Sequence, residues 1–82
     1  MKSLTQITVN GLTFHFSYTT LVAVQNSTRL VVHKNIWSHT KGKHLNRIDG
    51  GAVLARVDAS LFNEAVAEMC TDHEINEVPT LR

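Results

Sequence analysis

Apolar and polar residues alternate with a period of two through the start of the chain. Ile7 and Val9 flank Thr8 and lead into Asn10-Gly11. Beyond that pair, Leu12, Phe14, Phe16 and Tyr18 alternate with Thr13, His15 and Ser17. Asn-Gly between two alternating runs marks a tight hairpin, because both residues accept positive φ. Strands are therefore predicted near 4–9 and 12–18. Residues 20–24 and 29–34 are rich in β-branched side chains, and Gln25-Asn26-Ser27-Thr28 between them has turn composition. A second hairpin follows, with Leu30 and Val32 on one face and Val31 and His33 on the other. About four strands joined by short turns make an antiparallel meander with one covered face.

The period changes after Asn35. Residues 40–48 suit one or two helical turns with Leu45 and Ile48 facing inward, stopped by Asp49-Gly50-Gly51. Residues 52–57 read as a short strand or an extended return. Asp58 is a candidate N-cap. Behind it Leu61, Phe62, Ala65, Val66, Met69 and Cys70 recur at helical spacing. They predict an amphipathic helix near 59–71 with Asn63, Glu64 and Glu68 facing water.

The expected class is α+β. A C-terminal amphipathic helix packs on one face of the meander, and a short helix follows the last hairpin. One compact domain spans 1–73. Residues 74–82 form a polar tail, frayed or loosely docked, that carries the only proline, Pro79. The second sheet face shows Thr13, His15 and Ser17, polar enough for solvent or a partner.

Size and composition sharpen this picture in a few places. A chain of 82 residues buries only about 60–65% of the surface its unfolded form exposes, so added burial through a homo-oligomer is a natural expectation. The lone Cys70 has no internal disulfide partner and falls on the apolar helix face, where it packs as a small hydrophobe. Met1-Lys2-Ser3 leads into strand-like sequence rather than a signal peptide, and no apolar run approaches the roughly 20 residues of a membrane span. A cytoplasmic protein without membrane partners is expected.

The formal net charge of +1 hides an asymmetry. Residues 29–57 hold Arg29, Lys34, Lys41, Lys43, Arg47 and Arg56 against Asp49 alone. Residues 58–82 hold Asp58, Glu64, Glu68, Asp72, Glu74 and Glu77 against Arg82 alone. The basic middle calls for an opposite partner: the chain's own acidic helix, a second copy, or an anionic ligand.

The middle also holds the densest set of polar groups, from Trp37 to Arg47. The candidate binding residues are Trp37, Ser38, Thr40, Lys41, Lys43, His44 and Arg47. Amides at a helix start, hydroxyls and two ammonium groups suit an anion. The same residues also suit a solvated helix start, with Ser38 or Thr40 as its cap. A nucleoside-triphosphatase loop is rejected, since Trp37 stands where that motif needs glycine and His44 follows Lys43. Trp37 fits either a lid on the core or a platform for a base or partner.

Other chemistry finds little footing. His33, His39 and His44 lack paired cysteines or a His-x3-His helix, so no metal site is expected. Ser38 near His39 or His44 lacks a third member and an elbow motif. No carboxylate pair is placed for acid–base work. No catalytic residue, cofactor or metal is expected.

The stretches Phe16-Ser17-Tyr18-Thr19-Thr20-Leu21-Val22-Ala23 and Asn35-Ile36-Trp37-Ser38-His39-Thr40-Lys41-Gly42-Lys43-His44-Leu45-Asn46 resemble a family of small uncharacterised phage and prophage proteins. That family shows a "YxTxVA" strand and a "W-S-x-T-T-G-K-H-L-N" segment. Lys41 stands here where the family often has a second threonine. The resemblance covers roughly 7–48 and implies an origin, in the cytoplasm of a host cell, without implying a mechanism. The leading expectation is a non-enzymatic phage-type accessory protein that binds a host or phage protein, for example as an inhibitor of host defence. The alternative is a binder or sequesterer of a small anionic ligand such as a nucleotide, with a dimer interface as one place for it. A nucleic-acid-binding module comes third, because the acidic last third would repel a long polyanion.

Overall fold

The computed structural model describes residues 4–81. Strands β1 (Leu4–Val9), β2 (Leu12–Ser17), β3 (Thr20–Gln25) and β4 (Leu30–Val32) form one antiparallel sheet in the order β1-β2-β3-β4. Helix α1 (His39–Asp49), a 3-10 turn (Val53–Ala55) and helix α2 (Ala59–Asp72) follow. The α+β meander with a C-terminal helix is the architecture expected from the sequence. No helix among the described residues is long and apolar enough to cross a membrane.

Local chemistry places the element ends. Asn10 (φ 50°) and Gly11 (φ 84°) make the β1–β2 turn, with Val9 opposite Leu12. Ser38 caps α1 by accepting from the Lys41 amide, and Gly50 (φ 68°) closes it with its own amide on the Asn46 carbonyl. Asp58 caps α2 by accepting from the Leu61 amide at 3.0 Å. At the far end of α2, Glu74 (φ 57°) takes the left-handed position usually held by glycine, and the Ile75 amide reaches back to the Cys70 carbonyl at 2.8 Å.

Register decides which side chains share a face. Phe14 lies between Ile7 and Val24, and Val24 lies opposite Val31. With Leu12 and Phe16 they meet Phe62, Ala65, Val66, Met69 and Cys70 of α2. A bulge between His15 and Phe16 shifts the β2–β3 register. It leaves Val22 beside Ala23 in a second cluster, with Val32 and Leu45, against which Ile48 packs.

That second cluster corrects one expectation. The face of His15 and Ser17 is not open to solvent, since both side chains are buried. Helix α1 covers it, supplying Leu45 as packing and His44 as a polar partner for Ser17. The sheet is thus sandwiched between two helices, and β2 is buried on both faces from Phe14 onward.

Three smaller expectations also change. Leu61 fits the helical spacing but points outward, because the buried stripe of α2 is Phe62, Ala65, Val66, Met69 and Cys70. Residues 52–57 form the 3-10 turn and then a single parallel bridge, His33 to Val57, rather than a strand. The segment after residue 73, expected frayed or loosely docked, lays Ile75, Val78 and Leu81 partly buried against the α2-side core.

The turn end of the sheet is tied together by His73. Its Nδ1–H donates to the Asn10 carbonyl at 2.8 Å, its carbonyl accepts from the Asn10 amide group at 3.2 Å, and its Nε2 lies 3.1 Å from Asn26 Nδ2. The β1–β2 turn, the β3–β4 turn and the end of α2 therefore share one side chain.

Candidate functional site

The segment joining β4 to α1 is held by its own side chains. His33 donates from Nδ1 to the Lys34 carbonyl at 2.6 Å, and its ring lies between Phe62 and Trp37. The Trp37 and His33 ring centroids are 4.8 Å apart. Asn35 accepts from the Trp37 amide at 3.1 Å and donates to the Ser38 carbonyl at 2.9 Å. Trp37 is thus neither a buried lid nor a free platform. One side rests on His33, and 36% of its surface remains exposed.

Gly42 belongs to the same arrangement. A Cβ there would sit 2.8 Å from Asn35 Nδ2. The glycine of the Lys-Gly-Lys run therefore makes room for the Asn35 amide, which provides a structural reason for glycine there without an anion. Gly42→Ala should gain up to ~1 kcal/mol of helix propensity and lose about 0.5–1.5 kcal/mol of hydrogen bonding at Asn35. Its melting temperature is expected to move little while Trp37 fluorescence changes, because the 35–38 segment loses its clasp. Unchanged emission would show that Asn35 does not hold Trp37 in place.

Along α1 the candidate residues diverge. His44 turns inward, and its Nδ1 lies 2.5 Å from Ser17 Oγ. Burial, assisted by the nearby Lys41 charge, pushes the His44 imidazole below its ordinary value. A serine–histidine contact invites a nucleophilic interpretation, but Ser17 is 0% and His44 1% exposed, so no substrate reaches it. The Tyr18 ring lies 5.5 Å from His44 by centroid, and Lys41 Nζ sits 5.0 Å above Tyr18. Thr40, Lys43 and Arg47 are exposed.

The last turn of α1 carries a buried ion pair. Arg56 donates from Nε to Asp49 Oδ2 at 2.7 Å, from one terminal nitrogen to Asp49 Oδ1 at 3.0 Å, and from that nitrogen to Asn46 Oδ1 at 2.9 Å. The Arg56 bond holds the Asp49 carboxyl below the usual carboxylate range, and Asp49 in turn raises Arg56. The pair fixes the return segment against α1.

Beyond this pair the apolar surface opens. Leu54 is 102% exposed, Ile36 68% and Val53 58%. Val53, Leu54 and Arg56 form one bank of a groove of about 390 Å³, and Lys34 and Asn35 form the other. Ile36 and Trp37 follow Asn35 in the chain, and the Trp37 amide is bonded to the Asn35 side chain. A separate groove of about 350 Å³ runs between β4 and α2, lined by Leu30, Val31, Leu61, Glu64 and Glu68 among others.

The structure therefore divides the residues singled out by sequence. Ser38 is the helix cap and His44 a buried partner of Ser17. Lys41 turns to Tyr18, and Thr40, Lys43 and Arg47 face outward. Trp37 and Ser38 are each bonded through the backbone to Asn35, which lines the groove. Ile36, Val53 and Leu54 were not singled out by sequence, and Lys34 was noted only for its charge. An aliphatic pair beside Gly50-Gly51 in a segment too short to be a strand was the available signal. Among the described residues no three His, Cys, Asp or Glu side chains converge as a metal site.

The sequence also matches the profile of a family of unknown function (DUF8033) over residues 1–64. The chain belongs to that family. The DUF8033 match takes in the whole sheet, α1, the return segment and the first part of α2, so the groove between Lys34 and Leu54 lies inside it. No curated protein and no solved structure matches the chain.

Proposed function

We propose that this is a non-enzymatic accessory protein that binds another protein through Ile36, Trp37, Val53 and Leu54. The observation that supports it is the full exposure of Leu54, with its neighbour Val53 and Ile36 exposed as well. Leaving a Leu, Ile or Val side chain in water forgoes roughly 1.5–3 kcal/mol of burial each. Grouped apolar exposure of this kind is characteristic of interaction sites. A phage-type origin and a host-cell cytoplasmic setting rest on the resemblance of the 16–23 and 35–46 stretches alone.

A small anionic ligand is the weaker reading. The Ser38 hydroxyl already caps α1, Asn35 occupies the space beside Gly42, and Lys41 lies over Tyr18. Thermal shift with nucleoside triphosphates separates the two: a rise in melting temperature that Lys43→Ala removes would favour the nucleotide.

For the leading reading, Ile36→Asp/Leu54→Asp is the informative variant. Neither side chain contributes to the core, so melting should change by no more than a surface substitution allows, about 0.5 kcal/mol per site. The doubly substituted protein should fail to retain a partner that the parent chain captures from lysate. Equal capture by both would remove this surface from consideration.

A further inference from the structure

Resting on the protein-binding reading, we infer that the partner docks through an acidic amphipathic segment, with apolar side chains in the groove between Lys34 and Leu54 and carboxylates toward Lys34, Lys43 and Arg47. The charge pattern of the middle segment supports this. Asp49 is the sole acidic residue between Arg29 and Val57, and its charge is spent on Arg56 inside the fold. Arg29 meets Glu68 at 3.6 Å, the one ion pair between the basic middle and the acidic helix among the described residues. Lys34, Lys43 and Arg47 are exposed and have no carboxylate within the 4.0 Å of an ion pair among those residues. The acidic helix therefore leaves these cations unpaired.

Position links them to the apolar groove. Lys34 lines it directly. Lys43 lies one helical turn from Asn46 and one turn from Arg47, at spacings of three and four, and Asn46 is bonded to Arg56, which lines the groove. A cationic rim on an apolar groove selects carboxylates flanking aliphatic side chains, and it speeds their encounter. An anionic membrane offers similar chemistry, but Val53 and Leu54 line a groove together with Lys34, Asn35 and Arg56 instead of forming the apolar face of an amphipathic helix. Bare nucleic acid would satisfy the cations and leave Leu54 in water.

Trp37 is the chain's only tryptophan, and its amide is bonded to Asn35, which lines the groove, so its fluorescence is the readout of occupancy. Two synthetic amphipathic helices with the same leucine stripe, one flanked by glutamates and one by lysines, are titrated into the full chain. The acidic peptide should bind at least about tenfold more tightly, and that preference should shrink as salt screens the rim. Lys43→Glu/Arg47→Glu should reverse the preference, and Leu54→Asp should weaken both peptides. Circular dichroism melts confirm that each variant is folded. Equal affinity for the two peptides, still lost in Leu54→Asp, would overturn the acidic segment and leave the binding surface standing. No response to either peptide, or indifference to Leu54→Asp, would overturn both. A Trp37 shift with phosphatidylserine vesicles and not with the acidic peptide would overturn both in favour of a membrane.

Discussion

Arg56→Ala is expected to destabilise the fold by about 3–5 kcal/mol, the usual cost of removing one partner from a buried ion pair. A chain of 82 residues has a total stability of roughly 4–12 kcal/mol, so this single truncation could remove most of it. The cost comes from what is left behind. The Asp49 side chain, 6% exposed, would keep the Gly51 amide at 2.9 Å and lose both of its guanidinium contacts but for solvent that enters. Asn46 would lose its bond as well. The return segment has no buried apolar residue in its 3-10 turn, so little else holds it to α1. Urea denaturation measures the change directly. Asp49→Leu/Arg56→Met should lose much less, because it leaves no orphaned charge. A cost below about 1 kcal/mol for Arg56→Ala would mean that water already reaches the pair.

Acid should unfold the protein in a graded way that begins well above the carboxylate range. Burial depresses the His44 imidazole, and burial also depresses His15 despite its bond to Gln25 at 3.0 Å. Both rings are therefore neutral in the fold when the unfolded chain begins to take up protons, near pH 6.5. Their contribution is fully present above that pH and is lost as pH falls toward the folded values. Each histidine removes at most about 1.4 kcal/mol per pH unit over that window. The two together should make a large drop in urea midpoint between about pH 7.5 and pH 5. Below about pH 4, protonation of Asp49 adds to the loss in the same direction, since its folded value is also depressed. His15→Gln should flatten the upper part of the profile. Stability that stays level from pH 7.5 to pH 5 would show that both rings accept a proton in place.

The parts of the fold that were legible from sequence are those set by neighbours in the chain. Asn10-Gly11, Asp58 and Gly50 announce a turn, a helix start and a helix end through their own backbone preferences. The covered second face was hidden because Ser17 and His44 meet across 27 positions, and neither residue type signals burial alone. Leu61 shows the limit of periodicity: it fits the stripe, yet the helix is rotated so that Phe62 and Ala65 take the core. The candidate surface was half legible. Trp37 stood out as the only tryptophan, while the packing reason for the glycine of Lys-Gly-Lys was not visible. Gly42 is needed by Asn35, seven residues earlier, and spacing alone does not reveal which neighbour requires a missing Cβ.

The His73 clasp has a consequence for the proton on that ring. Asn26 Oδ1 is already fixed as an acceptor, since it receives the Thr28 amide, the Thr28 hydroxyl and the Arg29 amide. Its Nδ2 must therefore be the group facing His73, and it can only donate. Nε2 has to accept, and Nδ1 has to carry the hydrogen that Asn10 receives. One tautomer of the uncharged ring satisfies both turns at once, and the doubly protonated ring would set two N–H groups against each other. The hydrogen-bonding of an asparagine side chain in one turn thereby dictates where a single proton sits at the end of a helix 47 residues away.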